Sequence, residues 1–396
     1  MNYDIIIVGA GLVGLATAYQ AKLKNPGFRI LVLEKEKDVA LHQSGHNSGV
    51  IHSGIYYKPG SLKAKNCIEG YNTVINFAEK YGIKYDLCGK IIVATSQEEL
   101  PLLDNIYKRG VENGLQNLQY LSRDEFREIE PHCEGIRAIK VPQTGIIDYP
   151  GIARKIKELF EELGGEVKFN TEVKGITSIS SEIIVKTNTS EFKTKKLVSC
   201  AGLHSDKITK MTNSENDVVI IPFRGEYYKI KDEKKYLVKH LIYPVPDPSF
   251  PFLGVHFTRM IDGNIEAGPN AVLAFKKEGY SFFDFNFEET MQTLMWPGFR
   301  KIVKKYGKTG MGEMHRSLSK SAFTRALQKL MPEIQENDLV PGGSGVRAQA
   351  CDRNGGLIDD FDIVKNGNII HVRNAPSPAA TSCLAIGNKI SGLIDN

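Results

Sequence analysis

The sequence predicts an α/β fold in which a parallel-sheet domain is interleaved with an α+β domain built on an antiparallel sheet. Three observations predict it. An apolar run, Ile5-Ile6-Ile7-Val8, meets three glycines, Gly9, Gly11 and Gly14, and then a small-residue stretch, Leu15-Ala16-Thr17-Ala18-Tyr19. A second apolar run, Ile30-Leu31-Val32-Leu33, ends in an acid, Glu34. From about Val218 to Pro269 the texture changes to aromatic and β-branched residues broken by Pro and Gly, as in short antiparallel strands.

The first two observations have the spacing of a dinucleotide fingerprint: strand, glycine turn, helix, strand, acid. Gly9 permits the tight turn, Gly11 lets backbone approach a pyrophosphate, and Gly14 lets helix and strand pack closely. Free N–H groups at the helix start attract phosphate. Glu34 is suited to accept hydrogen bonds from ribose hydroxyls and to repel a 2′-phosphate, which argues against NADP. The first domain is therefore Rossmann-like.

Residues 1–85 read as its first part. Residues 86–145 open the second domain, with helical stretches at Glu98 to Asn113 and Arg123 to Glu130. Residues 146–215 return to the nucleotide domain: a helix over 151–163 presents Ile152, Ile156, Leu159 and Leu163 near one face. Strands follow at Glu166 to Phe169, Ile183 to Thr187 and Lys196 to Cys200. Residues 216–335 hold the second sheet. Phe223 to Tyr228 and Phe252 to Met260 read as strands, and Asp262-Gly263-Asn264 reads as a hairpin turn before Ile265-Glu266-Ala267. A polar, aromatic helical region runs to about residue 331. Residues 336–396 close the nucleotide domain with a glycine-rich turn at Gly342 to Gly345, a strand at Asn368 to Val372 and a final helix from Pro378. Ser377 is placed as that helix's N-cap.

The 396 residues suffice for two or three domains, and the net charge of +5 is small. That argues against a nucleic-acid footprint and mildly favours an acidic small molecule or an anionic surface. Six cysteines (Cys67, Cys88, Cys133, Cys200, Cys351, Cys383) include no CxxC pair. This fits reduced thiols in a cytoplasmic protein, with no disulfide framework and no metal site. Met1-Asn2-Tyr3-Asp4 carries no positive charge, so the apolar start is not read as a signal peptide. No apolar run is long enough to span a bilayer.

Three later segments favour FAD over NAD. The stretch from His42 to Val50 is rich in small polar residues, with Ser44, His46, Asn47 and Ser48 placed to follow a second phosphate and the flavin edge. A strand ending in Ala201-Gly202 lets backbone come near a ligand. The segment Asn374 to Ser382 opens the last helix, whose positive end would face the flavin through Pro378, Ala379, Ala380 and Thr381. Lys35, Val173, Gly345 and Val346 complete the candidate cofactor set.

These stretches, with Pro222 to Tyr228, Leu253 to Arg259 and Gly345 to Ala350, span nearly the whole chain. On them the sequence resembles the D-amino-acid-oxidase-like flavoproteins, and within these the branch that oxidises L-2-hydroxyglutarate. The resemblance implies oxidation of that hydroxy acid to 2-oxoglutarate with FAD as acceptor. The rivals are an FAD-dependent oxidase of another small acid, such as an amino acid or glycerol 3-phosphate, and a flavin-bearing electron-transfer scaffold without its own substrate.

Oxidising an α-hydroxy acid needs a base for the hydroxyl proton and cations for the carboxylates. Histidine suits the base, with an unperturbed pKa of about 6.5. His52, just after the flavin-contacting loop, and His256, on a strand of the second sheet, are the two candidates. Alternation puts His256 and Thr258 on one face and Arg259 on the other, so Arg259 is expected outside or at a domain contact. Arg347 is the candidate carboxylate clamp. Tyr57 and Tyr243 are candidate hydroxyl donors. Arg224 is a further substrate candidate, with a simple salt bridge to Glu226 the favoured alternative. Related flavoproteins attach flavin to a cysteine near Cys351; a small buried side chain and non-covalent FAD are expected here.

The electron acceptor is left open between oxygen and a quinone. Ser281-Phe282-Phe283-Asp284-Phe285, then Met291, Leu294, Met295, Trp296 and Phe299, then Lys301, Lys304, Lys305 and Lys308 could form an interfacial anchor. That would put a cytoplasmic protein at the inner face of the membrane. The favoured alternative packs these aromatics in a small helical core.

Overall fold

The computed structural model describes residues 2–179, 182–212, 217–247 and 253–395. Phe252, expected to open a strand, lies outside the described residues. Two large sheets organise the rest.

The first sheet is Rossmann-like. Its parallel part runs Glu166–Lys168, Ile30–Leu33, Asn2–Val8, Glu191–Ser199 and Ile369–Asn374. Both faces are covered, so the strand Asn2–Val8 is continuously apolar from Ile5 to Val8 rather than alternating. Ile5 and Ile7 face the helices Leu12–Lys24, Tyr149–Glu162 and Cys383–Asp395, where Leu15, Ile152 and Ile386 meet them. Ile6 and Val8 face a second cluster with Val173, Ile176 and Val185, from two antiparallel strands that fold over the other side.

The second sheet is lined up as Val272–Leu273, Val218–Ile230, Ile265–Gly268, His256–Arg259, Leu241–Pro244, Lys90–Ala94, Arg137–Val141 and Gln119–Ser122. It is antiparallel apart from one pair, Lys90–Ala94 with Leu241–Pro244. The chain enters this sheet in two separate passes, and the parallel pair is the seam between them. The expected hairpin at Asp262-Gly263-Asn264 joins the antiparallel strands His256–Arg259 and Ile265–Gly268. A small sheet of Val50–Ile51, Gly145–Ile147 and Tyr85–Asp86 sits at the junction.

Two expectations about the carboxy-terminal region are corrected. Gly342 to Gly345 is not a turn. It lies inside a long strand, Leu339–Asp352, which pairs with Val218–Ile230 along its length, so sheet membership returns to the nucleotide layer only at Asp362–Asn366. The glycines serve close approach: a Cβ on Gly345 would lie 2.7 Å from the His46 carbonyl oxygen. The last helix begins at Cys383, not Pro378. Residues 377–382 form turns instead, so Ser377 caps no helix.

Candidate functional site

The glycine turn behaves as its spacing implies. Gly9 has φ +101°, and a Cβ on Gly14 would lie 2.0 Å from the Gly9 carbonyl oxygen. At Gly11 a Cβ would meet only Ser44 Oγ, at 3.1 Å, because this residue borders open space. Ser44 Oγ accepts the Leu12 N–H at 3.0 Å and so caps the helix from a distant loop. Glu34 accepts N–H bonds from Ala10 (2.7 Å) and Glu36 (3.0 Å), yet still borders the cavity.

That cavity, of about 670 Å³, runs from the glycine turn to the second sheet, a size typical of cofactor sites. Its lining includes Gly9, Gly11, Gly14, Glu34, Lys35, Ser44, His46, Asn47, Ser48, Val173, Ala201, Gly202, Gly345, Val346, Pro378, Ala379 and Ala380. At the second-sheet end the lining also includes His52, Tyr243, His256 and Arg347. Thr171, Tyr227, Asn270 and Glu278 line it as well and were missed from sequence, since each looks like an ordinary strand or loop residue.

Three expected residues do not line it. Arg224 points to the opposite face from Phe223, Gly225 and Tyr227, pairs with Glu226 at 3.0 Å and donates to the Ser281 carbonyl at 2.9 Å. Strand alternation makes it structural rather than a substrate residue. Thr381 is fully buried behind the cavity, accepting the His52 N–H at 3.1 Å and bonding the Tyr149 hydroxyl at 2.7 Å. Tyr57 stands beside Ser377, which its hydroxyl bonds, and beside Arg347.

The two imidazoles are held differently. His256 Nδ1 lies 2.9 Å from the Gly254 carbonyl and must donate to it, which leaves the acceptor lone pair on Nε2. His52 Nε2 bonds Ser377 Oγ at 3.1 Å. Burial, then the charge of Lys90, pushes His52 down to about 3. Burial, with Lys90 and Arg347 nearby, takes His256 down to about 4 despite the Gly254 bond. Both are neutral at physiological pH. Tyr243 packs on His256, with ring centres 4.0 Å apart. Arg347 is enclosed by protein but exposed at its surface to the cavity. Arg259 pairs with Asp86 at 3.2 Å, away from the site.

At the nucleotide end, Lys35 Nζ bonds Glu36 and Glu278, each at 2.6 Å, and Glu278 also accepts from His204 at 3.0 Å. Burial would raise Glu278, but these two partners outweigh it and bring it down to about 2. Glu36, His42 and Glu278 are spaced to hold an ion, but the Lys35 ammonium already stands against all three. Cys351 is buried against Ile221, Phe299 and Ile302 and does not line the cavity.

The glycine cradle, the placement of Gly11 and Gly202 on the cavity wall, and the reach of the cavity from the glycine turn to the second sheet fit a dinucleotide whose reactive end lies between the sheets. Fold and site thus define a dinucleotide-dependent oxidoreductase. The chain belongs to the FAD dependent oxidoreductase family (DAO), whose model matches residues 4–393, and FAD is its cofactor. It is 57% identical to an L-2-hydroxyglutarate dehydrogenase of Indibacter alkaliphilus, over 98% of both chains. It is 47% identical to the mitochondrial L-2-hydroxyglutarate dehydrogenase of Homo sapiens, covering 98% of this chain and 88% of that one. Among solved structures, an FAD-bound L-alpha-glycerophosphate oxidase from Mycoplasma pneumoniae superposes with a TM-score of 0.83 at 23% identity, covering 100% and 95% of the two chains. A glycine oxidase from Geobacillus kaustophilus gives 0.72 at 16%, with the same coverage.

Proposed function

We propose that this protein oxidises L-2-hydroxyglutarate to 2-oxoglutarate. The observation that carries the reading is the meeting of Arg347 with two neutral imidazoles at one end of the cofactor cavity. The high identity to dehydrogenases of that name supports it. FAD, when bound non-covalently, supplies the two-electron acceptor for the C2 hydrogen. Gly9, Gly11 and the start of the helix Leu12–Lys24 would hold its phosphates, and Glu34 its ribose. Arg347 grips the C1 carboxylate, and Tyr57, bonded to Ser377 outside the cavity lining, stands behind it. His52 and His256 supply the proton acceptor for the substrate hydroxyl, and Tyr243 sets the plane of His256.

A steady-state assay with an artificial dye acceptor tests this. L-2-hydroxyglutarate should turn over, and D-2-hydroxyglutarate, glycine and glycerol 3-phosphate should not. Preference for glycine or glycerol 3-phosphate would transfer the reading to the rival oxidases, and no turnover by any of them would favour the electron-transfer scaffold.

We further propose that electrons leave to a quinone at an anionic membrane surface. Trp296 and Phe299 pack inward as expected of a helical core. Phe283 (90%), Phe285 (61%) and Phe287 (70%) instead stand exposed, and Arg300, Lys301, Lys304 and Lys305 are exposed as well. Among the described residues no helix is long and apolar enough to cross a membrane, so the contact would be interfacial.

A further inference from the structure

Lys90 opens the seam strand Lys90–Ala94 and is only 3% exposed. Its Nζ lies 4.5 Å from the ring centre of Tyr56 and 4.8 Å from that of Tyr243. Among the described residues no carboxylate stands within ion-pair distance of it. The Tyr56 hydroxyl is itself buried without a hydrogen-bond partner. A buried ammonium is costly unless an anion compensates it.

We propose that Lys90 is the residue that selects a doubly charged substrate, its ammonium being the counter-charge to the second carboxylate. This rests on the dicarboxylate reading of the cavity. Lys90 does not line the cavity, so it is a positioning residue. It acts through its field and through Tyr243, the ring it shares with His256.

The titratable groups facing it come from each neighbouring element. They are Cys67 on the helix Leu62–Tyr81, Tyr56 and His52 after Val50–Ile51, Tyr243 on Leu241–Pro244, and His256 on His256–Arg259. Burial holds Cys67 up near about 12 and raises both tyrosines. None is an anion at neutral pH. Arg347 adds a second cation at this end. Burial lowers the Lys90 amine itself to about 7. A dianion arriving nearby should restore its proton.

The test compares the wild-type holoenzyme with Lys90→Met and Lys90→Arg. Lys90→Met should lower the kcat/KM ratio of L-2-hydroxyglutarate over L-2-hydroxybutyrate by about tenfold or more, mostly through KM, and Lys90→Arg should restore it in part. Independently of turnover, calorimetry in buffers of different ionisation enthalpy at about pH 8 should show proton uptake when glutarate binds the wild type. Lys90→Met should lose that uptake. Were Lys90→Met not to load FAD, the wild-type uptake would decide alone, and its absence would overturn the assignment. Protein that binds glutarate, with ratio and uptake unchanged in Lys90→Met, overturns Lys90 only. Wild-type protein that neither binds glutarate nor turns over L-2-hydroxyglutarate overturns the dicarboxylate reading and this inference together.

Discussion

At the scale of single residues, two imidazoles are held neutral among cations at the reactive end of the cavity. Replacing the proton acceptor should slow flavin reduction by about 10²- to 10⁴-fold. We expect His52→Ala or His256→Ala to show that loss in stopped-flow reduction while FAD loading stays intact. Two variants with near-normal reduction would remove histidine from the chemistry. The pH profile follows from the same depressed values. Because burial and Lys90 bring both groups to about 3 and about 4, the acid limb of kcat/KM should fall well below the ordinary histidine range. A limb centred near 6.5 would contradict the geometry. The placement of His52, His256 and Arg347 at the cavity was legible in the sequence because His52 and Arg347 each follow a stretch of small residues expected along the flavin, and His256 falls on a strand of the second sheet. Lys90 was not: a lysine before Ile91-Ile92-Val93 looks like the wet end of a strand, and only the seam between two chain passes buries it.

At the scale of elements, close packing explains where glycine is required. The helices Leu12–Lys24 and Cys383–Asp395 touch so closely that a Cβ on Gly387 would lie 2.5 Å from the Ala16 backbone. Gly387→Ala should therefore destabilise the protein by about 1–3 kcal/mol, read as a lower midpoint in chemical denaturation. An unchanged midpoint would mean that these helices slide apart freely. The parallel sheet was readable because strands buried on both faces are continuously apolar, as Ile5-Ile6-Ile7-Val8 is. The stretch Gly342 to Gly345 was misread as a turn for a physical reason. Glycines signal turns when φ is positive, but Gly345 is demanded by the His46 carbonyl packed against it, and Gly343 (φ +104°) falls beside a register shift in the pairing with Tyr227 and Tyr228. The final helix was expected too early because Ser-Pro resembles an N-cap followed by a first helical residue, whereas the chain makes turns before Cys383.

At the scale of the whole molecule, three buried histidines couple stability to pH. His52, His256 and His371 are brought down to about 3, 4 and 4, mainly by burial. Each is neutral when folded and takes up a proton on unfolding once the pH is below about 6.5. The stability tied to their neutral forms is complete above that pH and is lost as the pH falls from 6.5 toward 4. The slope is about 1.4 kcal/mol per pH unit for each histidine. Denaturation midpoints that stay flat across this window would contradict the burial. The exposed aromatic and basic face makes a second prediction at this scale. The protein should cosediment with anionic liposomes at low salt, and replacing Phe283 and Phe287 with serine should abolish it. The absence of binding at low salt would leave oxygen or a soluble carrier as the acceptor.

The most direct measurement mixes the purified yellow protein, without oxygen, with one equivalent of L-2-hydroxyglutarate. The flavin absorption should bleach, and 2-oxoglutarate should form in an amount equal to the flavin. Absorption that survives an excess of this hydroxy acid would contradict the account.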